Sequence, residues 1–370
     1  MRDTVRQFCR DEMMPRAKQI DKSGEFPRDM VKRMGELGLL GMFVPPEYGG
    51  AGSDYVSFGL TAEELTRASA TCSVIWGANT SLTCGPIYNF GTEAQKHEFL
   101  PKLCSGEFLG AYALTEPQAG SDAANLQTTA RKEKDEYVLD GQKTFITNGS
   151  VADVILVFAT MDKKAGHKGI SAFLVPRTSK GLTLGEDFEK MGLHGSPTSQ
   201  LLFDECRIPA ESMVGKPGEG FKIAMATLDT GRIMAAAGSV GIARGCLEES
   251  LAYAKERKTF GKPIGEHQAV QFMLADIATN VEAGRLLYLR AASLRDKGER
   301  YTKEASMAKV FASEMAMDAA IKAIQIHGGN GYITDYNVER YFRDIKIFEI
   351  FEGTSEIQRI VIAREVLGGP

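Results

Sequence analysis

Residues 351–358 read Phe351-Glu352-Gly353-Thr354-Ser355-Glu356-Ile357-Gln358, a carboxylate set between an aromatic residue and a glycine, with the apolar run Ile345 to Phe351 before it. A carboxyl group beside apolar neighbours is a candidate for a raised pKa, because desolvation disfavours its charged form. Tuned in this way, a weak carboxylate base can abstract a proton near neutral pH. The plainer reading is a helix start, with Thr354 as N-cap and Ser355 and Glu356 in the first turn. The two readings are compatible.

The chain is helical on both sides of a β region. Val270, Met273, Ile277, Val281, Tyr288, Ala291 and Leu294 form one apolar stripe at helical spacing. Thr302 to Ile326 is a second long helix, stopped by Gly328-Gly329. With Ile233 to Lys255 and Thr354 to Leu367 these make four helices, enough for an antiparallel bundle. Upstream, from about Leu109 to Gly215, the texture is β. Asp153 to Thr160, Gly169 to Pro176 and Ser199 to Pro209 read as strands, and Tyr137 to Ile146 alternates around Asp140-Gly141, a hairpin signal. Residues 1–108 are helical and broken by turns. Asp29 to Leu37, Thr61 to Ala68 and Gly91 to Leu103 read as helices, and Thr71 to Phe90 is apolar and holds Trp76. The expected architecture is mainly α with a central β domain, barrel-like or sandwich-like: an α domain (1–108), a β domain (109–215) and a C-terminal four-helix bundle (216–370).

Composition limits the functions available. The 370 residues are 43% hydrophobic and 25% charged, which suits a soluble globular chain with a substantial core. A net charge of −4 gives no basic field for nucleic acid or anionic membranes. No run of roughly 18 apolar residues is present, so no transmembrane helix is expected. The N-terminus has no signal-peptide core and reads as an amphipathic helix already under way at Met1. Cys9, Cys72, Cys84, Cys104, Cys206 and Cys246 are scattered, as expected of buried reduced thiols in a cytosolic protein. The histidines show no metal spacing. A Ser-x-x-Lys match, Ser306 to Lys309, falls inside a helical pattern and reads as accidental.

Five stretches could carry chemistry. Ala113 to Asp122 includes Leu114, Thr115, Gly120 and Ser121, a loop able to offer hydroxyls and backbone N–H groups to a flat polar ring or a pyrophosphate; a capped turn is the equal alternative. Phe145, Ile146 and Thr147 end a strand, with Phe145 and Thr147 on one face; core packing is the commoner fate of such a Phe. Leu228-Asp229-Thr230-Gly231-Arg232 reads as a helix start with Asp229 as N-cap. An arginine there opposes the helix dipole and so calls for another role, such as holding an anionic or polar ligand. Glu256 to Gln268 places cations and Phe260 in a glycine-rich loop suited to a diphosphate and an adenine, or to an ordinary basic helix end. Gln325 to Tyr332 holds three glycines where helix termination needs one.

Taken in order, these motifs resemble the acyl-CoA dehydrogenase family along the whole chain: Tyr112-Ala113-Leu114-Thr115-Glu116-Pro117 with Gly120-Ser121-Asp122, then Phe145-Ile146-Thr147-Asn148, Arg257-Lys258-Thr259-Phe260-Gly261, Gln325 to Tyr332, and Phe351-Glu352-Gly353-Thr354. The resemblance implies a non-covalent FAD and a CoA thioester substrate. By it, Tyr112, Leu114, Thr115, Gly120, Ser121, Phe145, Ile146 and Thr147 surround the flavin ring, with Thr354 and Glu356 on the bundle side. Arg257, Thr259, Phe260, Gln268, Gln325, Gly328 and Gly329 match residues that reach the FAD of a neighbouring subunit, so a homotetramer, a dimer of dimers, follows by analogy. Ser121, Asp229, Arg232 and Gly353 match substrate-binding positions, and Glu352 matches the catalytic base. The implied reaction removes the α-proton to Glu352 and the β-hydride to flavin N5, giving a trans-2-enoyl-CoA. Electrons then pass to an electron-transfer flavoprotein, in the cytoplasm of a bacterium.

Two departures stand out. Phe145 replaces the tryptophan common in the family. Some relatives carry the base one residue before the helix arginine, and that position here is Gly231. Thr71 to Gln95 contains no Arg or Lys, whereas relatives acting on glutaryl-CoA use an arginine in this region. A short-chain, butyryl-type substrate is therefore expected, with a branched or alicyclic acyl group such as cyclohexanecarboxyl as the alternative. An oxygen-using acyl-CoA oxidase and a non-catalytic flavin scaffold are readings of other classes; the presence of Glu352 argues against the scaffold.

Overall fold

Small polar residues fix where the first long helices begin. Asp54 accepts a hydrogen bond from the Ser57 N–H, Ser69 from Cys72, and Thr92 from Gln95, whose side chain in turn accepts from the Thr92 N–H. These caps satisfy amides that a first helical turn leaves free. The computed structural model describes residues 2–368. Its N-terminal part comprises α1 (Arg2–Phe8), α2 (Met14–Ser23), α3 (Arg28–Glu36), α4 (Tyr55–Ala68), α5 (Ala70–Asn79), α6 (Gly85–Phe90) and α7 (Glu93–Ser105). Met1, expected in the first helix, lies outside the described residues. The apolar segment Thr71 to Phe90 is helical, α5 and α6 joined by a π-helical turn at Thr80–Cys84. Trp76 of α5 is sealed in this core, its Nε1 donating to the Leu39 carbonyl at 2.7 Å.

Eight strands follow: β1 (Gly110–Ala113), β2 (Thr129–Glu133), β3 (Glu136–Thr147), β4 (Val154–Thr160), β5 (Ile170–Pro176), β6 (Leu182–Asp187), β7 (Thr198–Pro209) and β8 (Met213–Val214). They make one sheet in the order β6-β7-β3-β2-β4-β5-β8, with β1 running parallel to β4. All of β4 is buried, and its two faces divide by the period of two. Val154, Leu156 and Phe158 join the helical core, whereas Ile155, Val157 and Ala159 join a separate core belonging to the sheet.

Asp140-Gly141 is not a hairpin turn. Both residues lie inside β3, at a register shift against β7, and Gly141 has φ 144°. Thr128 fills the space a side chain there would need, its Cα 2.7 Å from a built Cβ. The glycine serves an irregularity in the strand and a close backbone approach, which share their sequence signal with a tight turn. The β2–β3 turn comes earlier, beside Lys134 at φ 53°.

The C-terminal part is α8 (Gly220–Glu256), a short hairpin of β9 (Lys258–Thr259) and β10 (Lys262–Pro263), α9 (Gln268–Asp296), α10 (Thr302–His327), α11 (Val338–Ile345) and α12 (Ser355–Leu367). Helices α8, α9 and α10 pack on one another, α12 lies on α10, and α4 packs against α8 and α9. Of the expected stripe on α9, Ile277, Val281, Tyr288 and Ala291 are buried. Gly328 ends α10 at φ 59°. The expected helix start at Leu228–Arg232 is wrong. Asp229 and Arg232 lie well inside α8, because nothing between Phe221 and Leu228 breaks a helix that begins at Gly220. Asp229 is therefore not an N-cap, and the dipole argument for Arg232 lapses. Among the described residues no helix is long and apolar enough to cross a membrane, and no His, Cys, Asp and Glu group could hold a metal ion. The six cysteines are buried and unpaired.

Candidate active site

β1 ends at Ala113, and the loop after it is fastened from beneath by a buried ion pair. Lys143 Nζ lies 2.7 Å from Glu116 Oε1 and donates to the Leu114 carbonyl at 3.1 Å. The other acceptor positions of Glu116 take the Gln127 N–H at 2.5 Å and the Thr128 N–H at 2.9 Å. Burial lowers Lys143 to about 8, partly opposed by Glu116; burial also raises Glu116, but Lys143 and these N–H donors outweigh it and hold the carboxyl below its usual range. A fully hydrogen-bonded buried pair of this kind fixes a loop more than it stabilises a fold. The strand opposite leaves its own pattern at Phe145, where φ is 58° and the register against β7 shifts. The ring is 65% exposed, so it is not a core residue.

Between these segments and the C-terminal helices lies a cavity of about 300 Å³. Its walls include Tyr112, Leu114, Thr115, Gly120, Ser121, Phe145, Ile146 and Thr147 from the β side, Phe221, Met225, Leu228 and Arg232 from α8, and Glu352 and Gly353 from the turn before α12. A second, more apolar cavity of about 410 Å³ shares Phe145, Thr147 and Phe351, so Phe145 stands between the two.

Glu352 is presented by an unusual turn. It has φ 56° and Gly353 has φ 89°, a pair of left-handed residues in succession. Their carbonyls are held: that of Glu352 accepts from Gln358 Nε2 at 3.0 Å and Arg232 Nε at 3.5 Å, and that of Gly353 accepts from Lys309 Nζ and Gln358 Nε2, both at 2.8 Å. Thr354 then caps α12, accepting from the Ile357 N–H. The carboxyl Oε2 is buried without a hydrogen-bond partner. Burial pushes Glu352 up to about 7, with Arg232 and then Lys309 pulling the other way. Gly231 of α8 lies directly behind it; a Cβ built there comes within 2.6 Å of the Glu352 carboxyl carbon. Arg232 is itself held by Asp229 at 2.6 Å, whose second oxygen accepts from Thr302 at 2.6 Å.

The structure thus brings eleven of the expected residues to one cavity and leaves the others elsewhere. Asp229 sits behind Arg232, Thr354 caps a helix, and Glu356 is exposed. Arg257, Phe260, Gln268, Gln325, Gly328 and Gly329 are exposed, Thr259 is half-buried, and none of them lines the cavity. They share a surface where α8 and α10 end side by side: His327 stacks on Tyr253 at 4.3 Å, and Asn330 donates to the Tyr253 hydroxyl at 2.9 Å. Sequence reasoning missed Lys309, Gln358 and the Glu116–Lys143 pair. Lys309 did leave a signal, a lone cation on the alanine-rich buried face of α10.

Models of the acyl-CoA dehydrogenase N-terminal, middle and C-terminal domains match residues 1–107, 111–206 and 218–367. The chain is 46% identical to the short-chain specific acyl-CoA dehydrogenase of Clostridium acetobutylicum, over 99% of this chain and 97% of that one. Among solved structures it superposes with a TM-score of 0.97 on butyryl-CoA dehydrogenase from Megasphaera elsdenii, at 42% identity over 99% of this chain and 97% of that one. It also superposes with a TM-score of 0.98 on a chain of the structure described as "Electron transferring flavoprotein of Acidaminococcus fermentans: Towards a mechanism of flavin-based electron bifurcation", at 46% identity over 99% and 96%. The fold and the matches define an oxidoreductase. The chain belongs to the acyl-CoA dehydrogenase family.

That family is FAD-dependent, and the residues here fit a flat ring with polar edges. Phe145 offers an open aromatic face, Thr115, Ser121 and Thr147 offer hydroxyls, and nothing lies within 4 Å of a Cβ built at Gly120.

Proposed function

We propose that this protein dehydrogenates a short-chain acyl-CoA to the trans-2-enoyl-CoA, with Glu352 as the base that removes the α-proton. The reading is carried by the Glu352 carboxyl: it lies on the cavity wall, one oxygen has no partner, and burial lifts it to about 7. Such a group can accept a proton at neutral pH without being locked in an ion pair. Leu114 to Ser121 and Phe145 to Thr147 hold the flavin ring, Ser121 and the α8 face at Phe221, Met225 and Leu228 hold the CoA arm, and Asp229 serves by orienting Arg232. The N–H of Gly353 polarises the thioester carbonyl, in the manner of an oxyanion hole. FAD, when bound, supplies the hydride acceptor. Electrons then pass to an electron-transfer flavoprotein, a reading supported by the likeness to a chain in the structure described in those terms.

A homotetramer in the bacterial cytoplasm is part of the same proposal. Phe260 is 97% exposed and Tyr332 88%, on the surface that carries Arg257, Gln268, Gln325, Gly328 and Gly329, and large apolar groups in that position call for a cover. A neighbouring subunit whose FAD these residues reach provides one.

The test is anaerobic bleaching of the bound flavin by a panel of acyl-CoA thioesters. Butyryl-CoA should bleach it faster than cyclohexanecarboxyl-CoA, and faster than glutaryl-CoA, since residues 71–95 hold no cation for a distal carboxylate. A higher kcat/KM for either rival substrate overturns the short-chain assignment, and no bleaching by any thioester overturns the dehydrogenase reading.

A further inference from the structure

One buried charge behind the turn has no part in the mechanism above. Lys309 lies on α10 with no exposed surface, between Ala305, Ala308 and Ala312. Its ammonium donates to the Gly353 carbonyl at 2.8 Å, and among the described residues no carboxylate forms an ion pair with it. Glu314, on the same helix, is taken by Arg359 at 2.7 Å. An ammonium buried without a carboxylate partner is costly. A residue needed only to fill space there would be better as Met, and one needed only to hold the carbonyl would be better as Gln, because Gln358 already donates to that carbonyl at the same distance. What neither could supply is a fixed positive charge at the back of Glu352.

We propose that Lys309 is a positioning residue for the reaction: it fastens the left-handed Glu352–Gly353 turn through the Gly353 carbonyl and sets a positive charge behind the Glu352 carboxyl. The proposal rests on Glu352 being the base. The groups near that carboxyl are Arg232 from α8, with Asp229 behind it, Tyr112 from β1 and Lys309 from α10; Gln358 from α12 holds the Glu352 backbone carbonyl, and Glu349 and Glu314 act on Lys309 itself. Burial lowers Lys309 to about 8 and raises Glu352 to about 7; the carboxyl holds the lysine up and the lysine holds the carboxyl down. Removing a positive charge makes ionisation harder, so the pKa of the base rises.

The experiment is the pH profile of kcat/KM with butyryl-CoA for the FAD-loaded wild type, Lys309→Gln and Lys309→Arg, since that profile reports the free enzyme's ionisations. Lys309→Gln keeps a donor and loses the charge. Its rising limb should move up by about one pH unit, making it roughly tenfold slower at pH 6 and within a few-fold of wild type above the limb. Lys309→Arg should hold the limb within about 0.3 unit of wild type. An unmoved limb in Lys309→Gln overturns the proposal, as does a limb displaced as far in Lys309→Arg. If the glutamine variant cannot be loaded with FAD, Lys309→Met, which fills the same space without the charge, takes its place under the same criterion. Glu352→Gln is measured alongside: wild-type flavin reduction in that variant overturns the base itself, whereas a slow Glu352→Gln with unmoved Lys309 profiles overturns only the role of Lys309.

Discussion

Glu64 and Glu352 are both glutamates withdrawn from water, and they end in opposite states. Glu64, on α4, is met by Arg6 at 2.8 Å, Arg244 at 2.6 Å and Arg2 at 3.3 Å, and its neighbour Glu63 by Arg285 at 2.7 Å and the Tyr288 hydroxyl at 2.7 Å. Burial would raise Glu64, but hydrogen bonds from Arg244 and Arg6 outweigh it and hold the group at about 2. Glu352 is met by no donor at Oε2, and Arg232 and Lys309 only temper the effect of burial. Burial alone therefore does not make a base. The supply of partners decides: a saturated carboxylate ties three helices together, and an undersupplied one is left ready to take a proton.

The largest expected effect comes from removing the proposed base. Glu352→Gln keeps size and hydrogen bonding, so FAD and acyl-CoA should still bind while flavin reduction slows ~10²–10⁴-fold. Stopped-flow absorbance reads this directly, and a rate near wild type would put the base elsewhere. Moving the carboxyl sharpens the point. In Glu352→Gly with Gly231→Glu, part of the rate should return, because the two positions adjoin in space.

Glu64→Gln should do the reverse. It leaves arginines facing a neutral group, and breaking a buried pair typically costs ~3–5 kcal/mol. Urea denaturation of the FAD-loaded protein should show that loss while the pH profile of kcat/KM keeps its wild-type limb. A displaced limb would mean that the two sites are coupled.

The smallest effect is a gain. The folded-state pKa of Glu352, about 7, lies above the ordinary 4.5, so the native state binds this proton more tightly than the unfolded chain does. Wild-type stability is then reduced as pH rises from about 4.5 to 7, by about 3 kcal/mol once the group is ionised. Glu352→Gln should accordingly be the more stable protein at pH 8 and no more stable at pH 4. Glu64 has the opposite sign: with its pKa lowered, its contribution is present above the unfolded value and fades as pH falls toward 2. Equal stability of Glu352→Gln and wild type at pH 8 would show that the carboxyl is better solvated than the structure indicates.

Much of this was legible in the sequence. The long C-terminal helices, most strands and the Thr354 cap follow from periodicity and local capping chemistry, which need only near neighbours. Asp140-Gly141 misled because left-handed glycine serves strand irregularities as well as turns. Leu228–Arg232 misled because a capping residue is also an acceptable helix-interior residue when a neighbour such as Arg232 occupies its side chain. Glu352 could be singled out from its apolar flanks. Its partner Gln358 could not, and Lys309 stood out only as a lone cation on a buried helix face, because what the two touch depends on how α10 and α12 meet the turn.

Trp76 is the chain's only tryptophan, and it sits two residues from Ala78 on the cavity wall. Its indole is sealed beneath the Leu39 carbonyl, while the sheet domain holds no indole at all. Tryptophan fluorescence, excited where the tyrosines absorb little, therefore has a single, dry source. Its emission on heating or in denaturant will report the helical wall of the cavity and stay silent about the sheet, where Phe145 on the cavity wall offers no second indole.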